Sequence, residues 1–188
     1  MRPLIERAIE IFSRIPAGWA LLGVFLFPAL ETGLVLGLIL PGETAVVLGG
    51  VLASTGRIPL WAAAAVGVAG AVAGDCAGYF MGRRYGDEIF RGFPMMRPGE
   101  PRVQRLVARF GAYAAFGVRF LIGLRIAGPI AMGAARMPPW KYSPANLFGA
   151  ITWSTIFSLA GYVFGEAFSA ALSHARHYEE AAFAALAV

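Results

Sequence analysis

Charge is scarce in this chain. Of its 188 residues 14% are charged, against about a quarter in ordinary soluble domains, and the mean hydropathy is +0.65. That excludes a water-soluble domain and leaves an all-α integral membrane protein. Cysteine is almost missing: Cys76 stands alone, so an internal disulfide is excluded, and inside an apolar run it reads as a small buried hydrophobe. Histidine is limited to His174 and His177 near the C-terminus, with no partner at ligand spacing, so no metal site is expected. The glycines follow no phosphate-loop pattern, and neither a Ser-His-Asp nor a Cys-His arrangement is available. Neither an enzyme, a catalytic residue nor a cofactor is therefore expected. No polar block is large enough to fold separately, so residues 1–188 read as one membrane domain.

The net charge of +5 is unevenly spread: between Arg83 and Arg109 seven arginines stand against three acids. In an apolar chain such a cluster marks the cytoplasmic side rather than a nucleic-acid partner, with contact to anionic lipid headgroups as a secondary role.

Apolar periodicity divides the chain. Leu4, Ile5, Ala8, Ile11 and Phe12 share a helical face, so residues 1–15 read as an interfacial amphipathic helix. Arg2, Arg7 and Arg14 before an apolar run imitate a signal peptide, but no small-x-small cleavage site follows, and the segment is expected to be retained. Residues 17–40 are long enough to cross ~30 Å of hydrocarbon. Pro41-Gly42-Glu43 then breaks the run, and residues 44–53 are too few to span, which predicts a re-entrant element. Residues 60–81 form a spanning helix rich in Ala and Gly, suited to close helix packing. The stretch 83–110 is expected to be a cytoplasmic Arg-rich loop ending in a basic helix from about Pro101 to Phe110. Residues 111–135, with Pro129 and five glycines, read as a second broken hairpin, and 144–168 as the next span. The tail 169–188 reads as the start of a last helix that this chain cuts short.

A repeat runs through this pattern. Arg57-Ile-Pro-Leu-Trp61 opens one span and Arg136-Met-Pro-Pro-Trp140 opens another. Ala77-Gly78-Tyr79 with Gly82 is echoed by Ala160-Gly161-Tyr162 with Gly165. The architecture expected is an inverted repeat of re-entrant hairpin plus transmembrane helix. With the N-terminus cytoplasmic, twelve of the sixteen Lys and Arg residues fall inside, satisfying the positive-inside rule.

Against this background five ionisable residues demand explanation: Glu31, Glu43, Asp75, Arg119 and Arg125. A charge at the bilayer centre costs roughly 2.5–3.5 kcal/mol on insertion scales unless it pairs or lines a wet cavity. The acids lie in the first half of the chain and the arginines in the second. Glu43 also reads as a helix cap, whereas no cap or surface is expected near Glu31. Burial disfavours the charged form of a carboxylate, which is the physical basis of proton coupling. Asp75 reads equally as a structural partner of an arginine and as a functional group. Arg119 and Arg125, six residues apart, would diverge on one regular helix but can share a cavity if Gly123 breaks it. Arginine grips phosphate or carboxylate bidentately. Trp61, Trp140 and Trp153 read as interface or packing residues rather than stacking platforms.

These motifs resemble the bacterial DedA family, the group that also holds the eukaryotic VTT-domain (SNARE-associated Golgi) proteins. The resemblance covers roughly residues 20–168. It rests on Glu31 with Pro41-Gly42-Glu43, on Gly74-Asp75-x-x-Gly78-Tyr79-x-x-Gly82-Arg83, and on Arg119-Phe120-x-x-Gly123-x-Arg125. It continues through Gly133-Ala-Ala-Arg136-Met137-Pro138, Asn146, Gly149, Trp153 and Gly161-Tyr162-x-x-Gly165. One departure is Ile122, where many relatives carry proline. The resemblance implies two opposed re-entrant hairpins and functional roles for Glu31, Glu43, Arg119 and Arg125. It further implies lipid movement: recycling of undecaprenyl phosphate, phospholipid transport or scrambling.

The expectation is a multi-pass protein of the bacterial inner membrane that flips an anionic lipid, most simply a polyprenyl phosphate, in exchange for protons. Arg119 and Arg125 would hold the phosphate, Glu31 and Glu43 would exchange protons, and Asp75 would fix the arginines. Partners would be lipid headgroups and protons, with homo-oligomers left open. The alternatives are a proton-coupled antiporter of small ions or drugs, and a non-transporting membrane assembly factor whose charges are structural pairs.

Overall fold

The computed structural model describes residues 16–33, 42–92, 99–121 and 124–186; for residues 171–186 only the backbone is described. The amphipathic helix expected over 1–15, the break at Pro41 and the pair Ile122-Gly123 lie outside these residues. Every element among the described residues is helical: α1 (Ala17–Gly33), α2 (Gly42–Ser54), α3 (Leu60–Gly92), α4 (Gly99–Phe110), α5 (Tyr113–Val118), α6 (Leu124–Ala134) and α7 (Pro139–Leu186).

Two stretches, Leu60–Gly86 of α3 and Pro139–Ala167 of α7, are long and apolar enough to cross a membrane. Each begins beside a proline, whose missing N–H costs nothing at a helix start. Each carries a tryptophan in its first turn, and Trp61 and Trp140 are 74% and 73% exposed, as interfacial side chains should be. The turn before α3 bends at Gly56, φ +75. The turn before α7 uses Arg136 at φ +54, with Arg136 N–H donating to Gly133 O at 2.9 Å and Met137 N–H to Met132 O at 3.1 Å. These are the paired bonds of a Schellman cap closing α6.

By contrast, α2 has 13 residues and α6 has 11, too few at 1.5 Å per residue to cross ~30 Å. Residues 111–135, expected to be broken, are two helices: α5 ends at Val118 and α6 starts at Leu124.

The two halves interlock crosswise. Helix α2 packs on α7, and α6 packs on α3. Close approach is set by glycine facing a carbonyl: Gly50 against Ser158 O and Gly161 against Val47 O in one pair, Gly133 against Tyr79 O and Gly82 against Ile130 O in the other. A Cβ at any of the four would collide with the facing backbone. In these contacts Gly82 corresponds to Gly161 and Tyr79 to Ser158, the same spacing that separates Arg57 from Arg136. The two Ala-Gly-Tyr tripeptides are therefore not equivalent in packing; Gly161 answers to Gly82 instead of Gly78.

Small residues thus hold the helices together, while large apolar ones point outward. Phe80, Phe148, Ile151, Ile156, Leu159, Val163 and Phe164 are all exposed, an arrangement that water would punish and lipid rewards.

Three boundaries differ from expectation. Helix α3 runs on to Gly92, bending at Tyr85 (φ −131, ψ 23), so the Arg-rich stretch begins as helix rather than loop; arginine is a good helix former. Helix α4 starts at Gly99, buries Val103 fully, and leaves Arg102, Arg105 and Arg109 exposed. Helix α7 continues unbroken to Leu186, so residues 169–186 extend the span instead of opening a new helix.

Replacing Gly161 by leucine should push α2 off α7 and cost 3 kcal/mol or more, about the upper range for overpacking. Gly18→Ala, where nothing lies within 4 Å, should leave stability unchanged. Thermal unfolding in detergent compares the two.

Candidate functional site

Like charges flank each of two junctions, that of α1 with α2 and that of α5 with α6. Glu31 lies in the last turn of α1 and Glu43 in the first turn of α2. Arg119 is the C-cap of α5 and Arg125 the second residue of α6. Glu43 and Arg119 suit their own helix ends, whereas Glu31 and Arg125 do not, since acids are disfavoured at C-termini and cations at N-termini. The compensation is mutual.

Arg125 donates to Glu31 Oε2 at 2.9 Å and also to Glu43 Oε1. Arg119 donates to Asp75 Oδ2 and, at 2.9 Å, to Asn146 Oδ1. All five residues singled out from the sequence therefore meet in one cluster. Four of them are buried, whereas the Glu43 side chain is 37% exposed against 5% for Glu31. Glu43 is the wet edge of the site.

The capping roles are exchanged relative to expectation. Glu31 Oε2 accepts the N–H of Gly42 at 3.1 Å, so the distant acid, not Glu43, satisfies a free donor at the start of α2. A Cβ at position 42 would displace that carboxylate oxygen.

Trp153 corrects a second expectation. It is 1% exposed, and the guanidinium carbons of Arg125 and Arg119 lie 4.3 and 5.8 Å from its ring centre. It is a stacking platform for both arginines, within cation–π range. Its place was legible in part, because it stands mid-span and Trp61 and Trp140 stand at helix starts.

Asn146 and Tyr142, on the same helix as Trp153, complete the polar lining. Tyr142 Oη donates to the backbone carbonyl of Asp75 at 3.2 Å, and its ring stacks on Tyr79 at 4.4 Å. Tyr79 in turn donates to Met137 O, and Arg83 donates to the Tyr79 hydroxyl at 3.0 Å. A cavity of about 10 Å³ remains among Asp75, Arg119, Arg125, Tyr142, Asn146 and their apolar neighbours, room for roughly one water molecule.

Chemically the cluster is a pair of guanidinium groups, each engaged by carboxylate, buried among apolar helices. Ionisable groups among apolar helices that turn large apolar side chains outward fit a membrane protein with a polar centre. The chain belongs to the DedA family of membrane proteins, since the VTT domain matches residues 40–163. It is 35% identical over 133 residues to the inner membrane protein YohD of Escherichia coli K12, covering 71% of this chain and 69% of that one. It is 34% identical over 163 residues to the uncharacterized membrane protein slr0232 of Synechocystis, covering 84% and 73%. With the protein DedA of E. coli K12 the identity is 28% over 152 residues, covering 78% and 69%. No solved structure matches the chain.

Removing one partner of a buried pair strands the other charge, at about 3–5 kcal/mol, while replacing both by apolar residues is often neutral. Asp75→Leu should therefore unfold the protein at markedly lower denaturant. Asp75→Leu with Arg119→Met should recover most of the loss. Glu43→Gln, at the exposed edge, should cost under about 1 kcal/mol. Equal losses for Asp75→Leu and Glu43→Gln would show that burial does not govern the cluster.

Proposed function

We propose that this protein carries an anionic lipid, a polyprenyl phosphate or a phospholipid, across the membrane, with protons exchanged at the same site. In this reading α2 and the α5–α6 pair are re-entrant segments, entering from opposite faces between α3 and α7, and the N-terminus is cytoplasmic. Arg119 and Arg125 take the phosphate, while the lipid chain stays against the exposed apolar faces.

The observation that carries the reading is the shared use of Arg125 by Glu31 and Glu43. A guanidinium already held by two carboxylates is an anion site occupied by the protein's own acids. A phosphate can present two oxygens to the same two guanidinium nitrogens. For the ligand to enter, the acids must let go, and a stranded carboxylate in an apolar interior is costly unless it gains a proton. Three carboxylates against two guanidiniums leave one formal negative charge in the cluster, which one proton cancels. An arriving phosphate adds negative charge, so its binding draws further protons onto Glu31 and Glu43. Half-exposed Glu43 is the natural port for them, and Glu31 the inner acceptor. Asp75 holds Arg119, and Trp153 supports both guanidinium groups when the carboxylates withdraw.

The test is translocation of a short-chain polyprenyl phosphate in proteoliposomes. Arg125→Lys keeps the charge but loses the two-pronged grip, and it should lower flux by about tenfold or more with the protein still folded. Glu31→Gln should make the remaining flux indifferent to a pH gradient. Unchanged flux in Arg125→Lys would falsify the phosphate role. Retained flux in the Asp75→Leu/Arg119→Met double variant would favour charges that serve structure alone.

A further inference from the structure

Asn146 is 3% exposed on α7, and its amide is only half used. Its oxygen accepts from Arg119 at 2.9 Å. That orientation is fixed by chemistry, because a guanidinium has only donors and must face the carbonyl side of the amide. The Nδ2 group is therefore turned away from Arg119, and it has no hydrogen-bond partner. The Nε of Arg125 is likewise buried and unpartnered. Both residues line the same small cavity. A buried donor left unmade costs about 1–3 kcal/mol, and native interiors rarely tolerate two in one place.

Two unpartnered donors beside one cavity, with the other two nitrogens of Arg125 held by Glu43 and Glu31, call for an outside acceptor. A cation would be repelled, and an apolar group would leave both donors unmade. The space at rest admits roughly one water, and an oxygen-rich anion supplies the same acceptor together with the charge that the guanidinium groups draw. We propose that Asn146 is a ligand-binding residue, its Nδ2 donating to an oxyanion that the Nε of Arg125 also holds. This rests on the anionic-lipid reading above and adds a third contact to it. The shared chemistry is a phosphoryl oxygen, whether it belongs to a lipid headgroup or to free phosphate. The cavity is closed down to about 10 Å³, so the anion enters only as the carboxylates on Arg125 move aside.

Asn146 is the only asparagine in the chain, which makes the test direct. Protein labelled with 15N at asparagine side chains, in detergent micelles, gives one side-chain NH2 signal. A short-chain prenyl phosphate and inorganic phosphate are titrated separately, with thermal stabilisation reporting binding independently. The expected result is a downfield displacement of the Nδ2 protons at saturation, and binding about tenfold weaker in Asn146→Asp, which keeps an oxygen for Arg119 but loses the donor. Displacement by the prenyl phosphate alone assigns the site to a lipid headgroup; displacement by both extends it to free phosphate. If the prenyl phosphate binds and the NH2 signal stays still, the role of Asn146 fails while the anionic-lipid reading survives. If neither phosphate binds the unaltered protein, both are overturned.

Discussion

Everything in this structure depends on one rule of apolar interiors: a charge there must have a partner. Arg125 obeys it twice over, through Glu31 and Glu43. That single guanidinium ties α6, from the second half of the chain, to the break between α1 and α2 in the first. Arg119 makes the second tie, to Asp75 on α3 and Asn146 on α7. Without these ties the halves still meet through glycine contacts, apolar clusters and neutral hydrogen bonds such as that from Tyr142 to Asp75 O. The ion pairs thus join the two halves at their centre, and buried charge is best attested in such a role where register is at stake.

Much of this was legible in the sequence for a simple reason. In a chain with so little charge each ionisable residue within an apolar run is conspicuous, and its cost demands an explanation. The five charges named from sequence are the five that meet. The two helices long and apolar enough to cross a membrane were marked by Arg-x-Pro-x-Trp, since proline and tryptophan at a helix start each have a physical meaning. What escaped was whatever depends on distance between helices. No pattern along the chain places Glu31 against the first N–H of α2, although Gly42 hints at something close by. Trp153 looked ordinary because aromatic residues are common in spans; only the approach of two guanidinium groups makes it a platform. Asn146 stood within the family pattern without a role, because half of its amide is spoken for by a residue 27 positions away. The Arg-rich stretch was read as loop on polarity alone, yet arginine stems support a helix as readily as they leave a membrane.

The glycine contacts deserve the same physical reading. Ordinary interiors gain uniqueness from interlocking side chains. Between α2 and α7, and between α6 and α3, backbone faces backbone instead, with carbonyl oxygens over glycine. Such contacts supply dispersion and weak Cα–H···O attraction without locking rotamers. Specificity is delegated to the polar cluster at the centre, and in the proposed reading the same five groups also handle the ligand and its protons.

Three acids and two arginines make an odd number, and an odd number has an electrical consequence. In the proposed reading, any exchange in which the protons taken up do not match the ligand's charge alters the charge held between the two faces of the bilayer. In an energised cell that charge feels a field, at about 2.3 kcal/mol for each unit carried across 100 mV. The voltage of the host membrane is thus a built-in reagent, acting on the cluster as surely as any molecule that reaches it.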